Sequence, residues 1–393
     1  MKNNLRLSDD QQLGGAFALI GVIISLAYMH GDSTLTTPHL ARLLSVPNYL
    51  CTLFIIIKLA CKVKVRVRQL MLAVTVLLCL LFFSFHYYKE MSVSPLSFVP
   101  LFLFCISSPS SQYNAFKLYR LFLVLTSFIG IICYVSFVFS LRIPYSIVDY
   151  YSSYLDAYYI DYKISFIVLE GLNLRLCGMF NEPGYLGTVA ALLLVADNFN
   201  MKRLGNIFVF IAAVLSFSLA FYLLVGIYFL FKVFKKKKYF LYFSLFMITG
   251  YFVLQYLAEE IDTIAEFLKR FSKEEGSLER TTDGFNSLYN QMFIQGDWFL
   301  GYGTGYLDGR DLASAGYKPV IIQHGVFGFL LLYGYLLYVS VVLSSRRKAI
   351  LIFILIFFAS IYQRATIFTL NYYIILFGGI EFIKRRLNTD LSK

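Results

Sequence analysis

An arginine precedes a short polar stretch that leads directly into an apolar segment. The stretch reads Arg175-Leu-Cys-Gly-Met-Phe-Asn181-Glu182-Pro183-Gly184, and the apolar segment begins at Tyr185. Proline suits the first helical turn and asparagine caps helices well, so we predict a helix capped by Asn181. The Glu182 carboxylate would lie at the mouth of this helix, where it can accept a proton from a hydroxyl group. The alternative is a capping motif with an incidental carboxylate.

His324 is a second candidate proton acceptor, in the stretch Val-Ile-Ile-Gln323-His324-Gly325. A neutral imidazole there can act as a base or donate a hydrogen bond. The alternative is an interfacial histidine without a function. No His, Cys or carboxylate cluster has the spacing of metal ligands, so we expect neither a metal nor a cofactor.

Three arginines from distant segments could bind one anion. Arg175 is joined by Arg280, in Glu279-Arg280-Thr-Thr-Asp283, and by Arg364, in Tyr-Gln-Arg364-Ala-Thr. Guanidinium groups bind phosphate oxygens through two parallel hydrogen bonds, and several of them could stabilise a leaving diphosphate without a metal. The alternative for Arg364 is that its side chain extends to lipid headgroups.

A glycine-rich stretch, Gly301-Tyr-Gly303-Thr-Gly305, resembles a nucleotide-binding loop only superficially. No predicted strand precedes it, so we reject that interpretation. Flexible backbone between helices is sufficient to explain the glycines. We assign Gly303, together with Asn181 and Gln323, a supporting role around the candidate site.

The composition indicates which elements must position these residues. The 393-residue chain is 59% hydrophobic and 15% charged, whereas soluble domains are roughly 45–50% apolar and 25% charged. A water-soluble globule is therefore excluded, and the net charge of +12 is interpreted as anchoring charge on one membrane face. Five of the six cysteines lie in apolar segments and only Cys177 lies in a predicted loop, so no disulfide framework is expected.

Hydropathy predicts an all-α polytopic membrane protein that forms one integral membrane domain over residues 1–393. One apolar stretch, Leu204–Val233, is too long for a single span. Because basic residues flank it on both sides, we predict that it forms two short helices with a turn near Ser216 and Ser218. About twelve spans result, with both termini cytoplasmic. The ten other apolar stretches are 14–29, 44–61, 69–87, 94–108, 121–140, 185–199, 239–257, 320–343, 349–362 and 367–383.

Two predicted outer loops, 141–184 and 258–319, are too long for simple turns. In the first, Tyr151, Tyr154, Tyr158 and Tyr162 share one helical face. We interpret this face as an amphipathic helix in the lipid headgroup layer, with stacking against sugar rings as the alternative. In the second loop, the apolar periodicity predicts two surface helices, at 261–271 and 285–293.

This arrangement resembles the Wzy-type O-antigen or oligosaccharide repeat-unit polymerases, a family related to the O-antigen ligases. Its members combine ten to fourteen spans with two enlarged periplasmic loops. The first loop carries an Arg before an Asn/Glu-Pro-Gly-like helix start, and the second carries an Arg, a Gly-x-Gly stretch and a His that opens the next span, with a Gly about ten residues later. The matching positions here are Arg175, Asn181 to Gly184, Arg280, Gly301 to Gly305, His324 and Gly334.

The resemblance implies an inverting glycosyl transfer on the periplasmic side of the bacterial inner membrane. A growing glycan would move from undecaprenyl diphosphate to the non-reducing end of a new lipid-linked repeat unit, producing O-antigen or a related surface polysaccharide. Arg280 and Arg175 would hold the donor diphosphate and Arg364 would assist, while Glu182 or His324 would activate the acceptor hydroxyl. The expected partners are both lipid-linked glycans, membrane lipid and a polysaccharide chain-length regulator, but no nucleic acid.

Two other functions remain as alternatives. An O-antigen ligase uses the same donor but attaches the glycan to lipid A core, and many relatives, ligases especially, have His-Asn where this chain has His324-Gly325. A lipid-linked oligosaccharide flippase also has about twelve spans. Sparse charge inside the spans and the absence of a two-half repeat disfavour transport.

Overall fold

The structure is a computed structural model that describes residues 8–26, 38–60, 99–150, 157–170, 173–233, 282–307, 316–343, 347–361 and 369–391, with positions 74, 77, 82, 249, 252 and 256. These residues are mostly helical, as the hydropathy pattern predicts. The predicted surface helix at 261–271 lies outside the described residues, as do Arg280 and Arg364.

The described chain folds into helices and one small sheet. In chain order they are α1 Asp9–Ser25, α2 Pro38–Ala60, α3 Val99–Ile106, α4 Pro109–Val138, β1 Ser146–Tyr150, β2 Ala157–Asp161, β3 Phe166–Glu170, β4 Asn173–Gly178, α5 Pro183–Ala196, α6 Leu204–Leu215, α7 Leu219–Val233, α8 Asp283–Gln295, α9 Lys318–Phe329, α10 Tyr335–Leu343, α11 Lys348–Ile361, α12 Leu370–Tyr373 and α13 Gly379–Leu391. Two π-helical turns, Leu330–Gly334 and Ile374–Gly378, join α9 to α10 and α12 to α13.

Two of the described helical stretches are long and apolar enough to cross a membrane, Pro109–Val138 and Lys318–Val342. About twelve spans were predicted, so the described helices account for that number only in part. Several predicted spans correspond to shorter helices: the stretch 94–108 contains α3, which has only 8 residues. Helix α4 also begins before the predicted span 121–140, so Lys117 and Arg120 lie within the helix.

The predicted division of the long apolar stretch 204–233 is confirmed. Helix α6 ends at Leu215 and α7 begins at Leu219, with Ser216 and Ser218 in the turn. The turn is tight because Phe217 adopts a positive φ of 45° and the Ser216 hydroxyl donates to the Ala213 carbonyl at 2.6 Å. The predicted surface helix at 285–293 is also confirmed as α8, which Thr282 caps by accepting a hydrogen bond from the Phe285 amide.

The tyrosine-rich part of the first long loop is a β-sheet, so the prediction of an amphipathic helix there is wrong for the described residues. Strands β1 to β4 form an antiparallel meander in chain order. Tyr158 and Tyr159 are adjacent on β2 and therefore point to opposite faces: Tyr158 is exposed, whereas Tyr159 is buried. Of the four tyrosines in the predicted helical face, Tyr151 and Tyr154 lie outside the described residues, Tyr158 lies in β2 and Tyr162 directly follows that strand.

The chain divides into two compact units. Unit 1 comprises Met1–Ile24, Leu43–Arg120 and Arg280–Lys393, and unit 2 comprises Ser25–Arg42 and Leu121–Glu279. In unit 1, an apolar cluster of Phe285, Met292, Ile321 and Ile322 holds α8 against α9. In unit 2, the largely buried helix α5 packs against β4, α6 and α7.

A buried carboxylate organises the connection between α5 and α6. Helix α5 ends at Ala196, after which Asn198 and Phe199 have positive φ angles that turn the chain back. The Asp197 carboxylate is almost fully buried. It accepts from the Asn206 amide at 2.8 Å and from the Arg203 guanidinium at 3.0 and 3.1 Å.

Replacing Asp197 by alanine is expected to destabilise unit 2 by roughly 1–3 kcal/mol, because the buried Asn206 amide loses its charged acceptor. The matched change Arg203→Gln is expected to cost less than the Asp197 change, because glutamine can still donate a hydrogen bond to the buried carboxylate. Thermal unfolding of the detergent-solubilised chain measures both. Equal losses of stability in the two variants would contradict the conclusion that the Asp197 carboxylate makes the larger contribution.

Candidate functional site

Arg175 is buried in unit 2 and is held against the end of a helix. Its cross-strand neighbour on β3 is Val168, which in turn pairs with Tyr159 on β2, so the three side chains lie on one face of the sheet. The Arg175 Nε donates to the Ser216 carbonyl at 3.2 Å. Ser216 is the C-cap of α6, where the helix dipole favours a cation.

The opposite face of β4 packs on helix α4. A methyl group at Gly130 of α4 would lie 3.2 Å from the Leu176 side chain, and the Tyr134 hydroxyl donates to the Leu174 carbonyl at 3.2 Å. Because Leu174 and Leu176 face α4, Arg175 between them must face the other way. The alternation of side chains along β4 therefore explains how the Arg175 guanidinium reaches the end of α6.

The turn between β4 and α5 places Glu182 at the start of the helix, as predicted, but Asn181 does not cap it. Pro183 is the first helical residue and Glu182 is the N-cap, in extended conformation and without a side-chain capping bond. Asn181 is therefore one residue too early for the capping role. Its carbonyl instead accepts a hydrogen bond from the buried Tyr159 hydroxyl at 2.5 Å, which fixes the turn to the sheet.

Cys177, predicted to lie in a loop, is instead a buried residue of β4. It belongs to an apolar cluster with Tyr159, Phe166 and Val168. The Cys177 carbonyl accepts from the Phe180 amide at 3.2 Å, so this residue also begins the turn that leads to Glu182. Its contribution is to packing and to turn geometry.

His324 lies in unit 1, next to a break in a membrane-length helix. Gly325, inside α9, has φ 66° and ψ 179°, which no α-helix contains. His324 itself is buried. Broken helices in membrane proteins occur where the freed backbone groups find partners within the protein, and such breaks often mark binding sites.

The segment 298–303 supplies those partners, and we name it the splice segment. On one side of the break, the Val326 and Phe327 amides donate to the Trp298 and Phe299 carbonyls at 2.9 and 3.1 Å. On the other side, the Ile322 and Gln323 carbonyls accept from the Tyr302 and Gly303 amides at 2.8 and 2.7 Å. The splice segment thus provides two hydrogen-bond acceptors and two hydrogen-bond donors to the broken helix.

The glycines at this junction allow close approach rather than flexibility. A methyl group on Gly325 would lie 2.1 Å from the Phe299 carbonyl oxygen, and one on Gly301 would lie 2.5 Å from the Gly325 amide nitrogen. Both distances are shorter than any van der Waals contact. The interpretation of the glycine-rich stretch as merely flexible backbone is therefore wrong. The hydrogen bond between the Gly303 amide and the Gln323 carbonyl places these two residues together, and their supporting roles stay predictions.

An aromatic cluster beside the splice segment was not predicted from the sequence. Tyr302 and Tyr306 stack with ring centroids 4.5 Å apart, and the Lys318 ammonium lies 5.7 Å from the centre of the Tyr289 ring. Burial raises the pKa of Tyr302, as do the nearby Asp297 and Tyr306. This phenol therefore stays protonated at neutral pH. The spacing of Tyr302 and Tyr306 within Gly-Tyr-Gly-Thr-Gly-Tyr is the signal that could have indicated the pair.

The predicted site residues thus form two groups within the described chain. Arg175, Asn181 and Glu182 surround the β4–α5 turn in unit 2, and Gly303, Gln323 and His324 surround the helix break in unit 1. The convergence of three arginines stays a prediction, because Arg280 and Arg364 lie outside the described residues. In the described ranges, no three His, Cys, Asp or Glu side chains are arranged to hold a metal ion.

No protein-family model, curated protein or solved structure matches this chain.

Proposed function

We propose that this chain is a membrane glycosyltransferase that polymerises undecaprenyl-diphosphate-linked oligosaccharide repeat units into a surface polysaccharide. The proposal includes a bacterial inner-membrane location, about twelve spans, cytoplasmic termini and an active site on the periplasmic face. The two candidate spans among the described helices support a membrane location. The basic residues on both sides of the stretch Leu204–Val233 support the orientation.

The observation that carries the proposal is the position of His324 at a helix break held by a glycine-rich segment. Backbone hydrogen bonds on both sides of the break hold the chain next to the buried His324. Rigid placement is what a proton-accepting group requires, because general-base catalysis depends on hydrogen-bond geometry with the reacting hydroxyl. Arg175 and Glu182, held beside the β4–α5 turn, supply further groups of the kinds this chemistry uses.

In the proposed reaction, the acceptor hydroxyl oxygen attacks the anomeric carbon of the donor glycan. The bond between that carbon and the diphosphate oxygen breaks, and undecaprenyl diphosphate leaves with the electron pair. The hydroxyl proton passes to His324 or Glu182. Arg280 and Arg175 hold the diphosphate, and Arg364 assists, because guanidinium groups stabilise the charge that develops on the leaving oxygens.

A deletion strain distinguishes this function from its alternatives. The measurement is the pattern of the surface polysaccharide on a gel. Loss of a polymerase leaves core capped by a single repeat unit. Loss of a ligase leaves bare core while lipid-linked polymer accumulates, and loss of a flippase traps repeat units inside the cell. Either of the last two patterns would refute the proposal.

Replacing Arg280 by lysine is expected to abolish the polysaccharide ladder, because an ammonium cannot reproduce the paired hydrogen bonds of a guanidinium to phosphate oxygens. The measurement is the ladder in a deletion strain that expresses the variant. Arg270→Lys, a change in the same predicted loop but outside the motif, is the matched control and should retain the ladder. An intact ladder with Arg280→Lys would rule out a need for the guanidinium.

A further inference from the structure

Helix α8 leads into an exposed apolar surface at the edge of the splice segment. The side chains of Phe293, Ile294, Trp298, Phe299 and Leu300 are all exposed, and we call them the apolar tip. Ile294 is 84% exposed and Phe299 is 51% exposed. Several large apolar side chains exposed close together in the sequence are typical of an interaction site.

The backbone of the tip is attached to a candidate membrane span. The Trp298 and Phe299 carbonyls accept hydrogen bonds from Val326 and Phe327, which lie inside the stretch Lys318–Val342. The Phe299 and Phe327 rings also contact, with centroids 5.4 Å apart. If Lys318–Val342 crosses a bilayer, the tip is therefore held at the depth of the helix break.

The exposed face of the same helical stretch continues the apolar surface. Phe327, Leu330, Leu337 and Tyr338 are exposed and recur at helical spacing, with Leu330 59% exposed. An exposed apolar face along a membrane span contacts lipid. Because Phe299 packs on Phe327 at one end of this face, the tip and the span share one continuous apolar surface and therefore one partner.

The residues of the tip suit the boundary between headgroups and acyl chains. Trp298 is the only tryptophan of the chain, and tryptophan is enriched at membrane interfaces because its ring is amphipathic. The Asp297 carboxylate lies within the same turn and excludes deep insertion, since a charge at the bilayer centre is costly. Aromatic side chains together with one carboxylate thus favour a shallow position of the apolar tip in the bilayer, near the headgroups.

We infer that the apolar tip inserts into the headgroup–acyl boundary of the bilayer that holds Lys318–Val342, with phospholipid as its partner. The tip anchors the splice segment, and through it the backbone on both sides of the break next to His324. The inference rests on the membrane position of this helix and not on glycosyl transfer.

The single tryptophan makes the inference directly testable in the full-length chain. In proteoliposomes, Trp298 emission is expected to be blue-shifted, largely quenched by phospholipid brominated near the headgroup, and little affected by aqueous iodide. Strong quenching by iodide, without quenching by brominated lipid, would overturn the inference. Protection from both quenchers would also overturn it, because it would indicate a protein contact such as a second copy.

Two relocated-tryptophan variants provide matched controls. Trp298→Phe combined with Ile294→Trp places the probe elsewhere on the tip and should again show quenching by brominated lipid. Trp298→Phe combined with Ser287→Trp places it on an exposed polar position of α8 and should show quenching by iodide. Identical quenching of the two relocated probes would contradict a local insertion. Polysaccharide synthesis does not enter the measurement, so failure of the proposed enzymatic activity would leave this result unchanged.

Discussion

His324→Gln is expected to lower the rate of repeat-unit polymerisation by about 100-fold or more, the usual contribution of a positioned general base. Glutamine keeps hydrogen-bonding capacity but cannot accept a proton at neutral pH. Glu182, the other candidate base, is the N-cap of α5.

The measurement is the rate of polymer formation from lipid-linked repeat units by the purified chain. His39→Gln, a change of another histidine, serves as the control and should leave the rate unchanged. A larger loss in Glu182→Gln than in His324→Gln would assign the base to Glu182.

Hydropathy and charge predicted the helical elements best where the local sequence determines where a helix begins or ends. The split between α6 and α7 followed from an apolar stretch of excessive length between basic flanks, and both are local properties. The start of α5 followed from Pro183, whose ring favours the first helical turn. The error of one residue in the cap arose because Asn181 and Glu182 are both polar, and composition does not determine which one precedes the first helical turn.

The sheet was not predicted because Tyr151, Tyr154 and Tyr158 recur in the sequence at helical intervals. The stronger signal lies downstream, where two apolar runs, Phe166–Glu170 and Asn173–Gly178, are separated by the two residues Gly-Leu. Two strand-like runs with a two-residue, glycine-containing connection are typical of a β-hairpin.

The splice segment could not be predicted, because its hydrogen bonds join residues that are distant in the sequence. The glycines at 301 and 325 are visible in the sequence, but the carbonyl that requires Gly325 belongs to Phe299. Local patterns do not reveal which backbone group approaches a glycine. The backbone support of His324 was therefore not predictable from local sequence, and its side of the membrane stays a prediction.

Gly325→Ala is expected to destabilise unit 1 by at least about 2 kcal/mol, since an L-residue at positive φ alone costs roughly 1–2 kcal/mol. Here the new methyl group would also lie 2.1 Å from the Phe299 carbonyl oxygen, so the splice segment must move away. That movement removes the acceptors of Val326 and Phe327 and releases the backbone next to His324. We expect a lower melting temperature in detergent, altered Trp298 emission and loss of the polysaccharide ladder.

Gly226→Ala is the matched control, because a methyl group there would meet no atom within 4 Å and alanine favours a helix over glycine by up to about 1 kcal/mol. The control should melt at the wild-type temperature or slightly above it and keep the ladder. If Gly325→Ala melted like the control with unchanged Trp298 emission, the contact between Phe299 and Gly325 would not hold the helix break. If it lost stability and altered Trp298 emission while keeping full polymerisation, the break would be structural and His324 would not need it for catalysis.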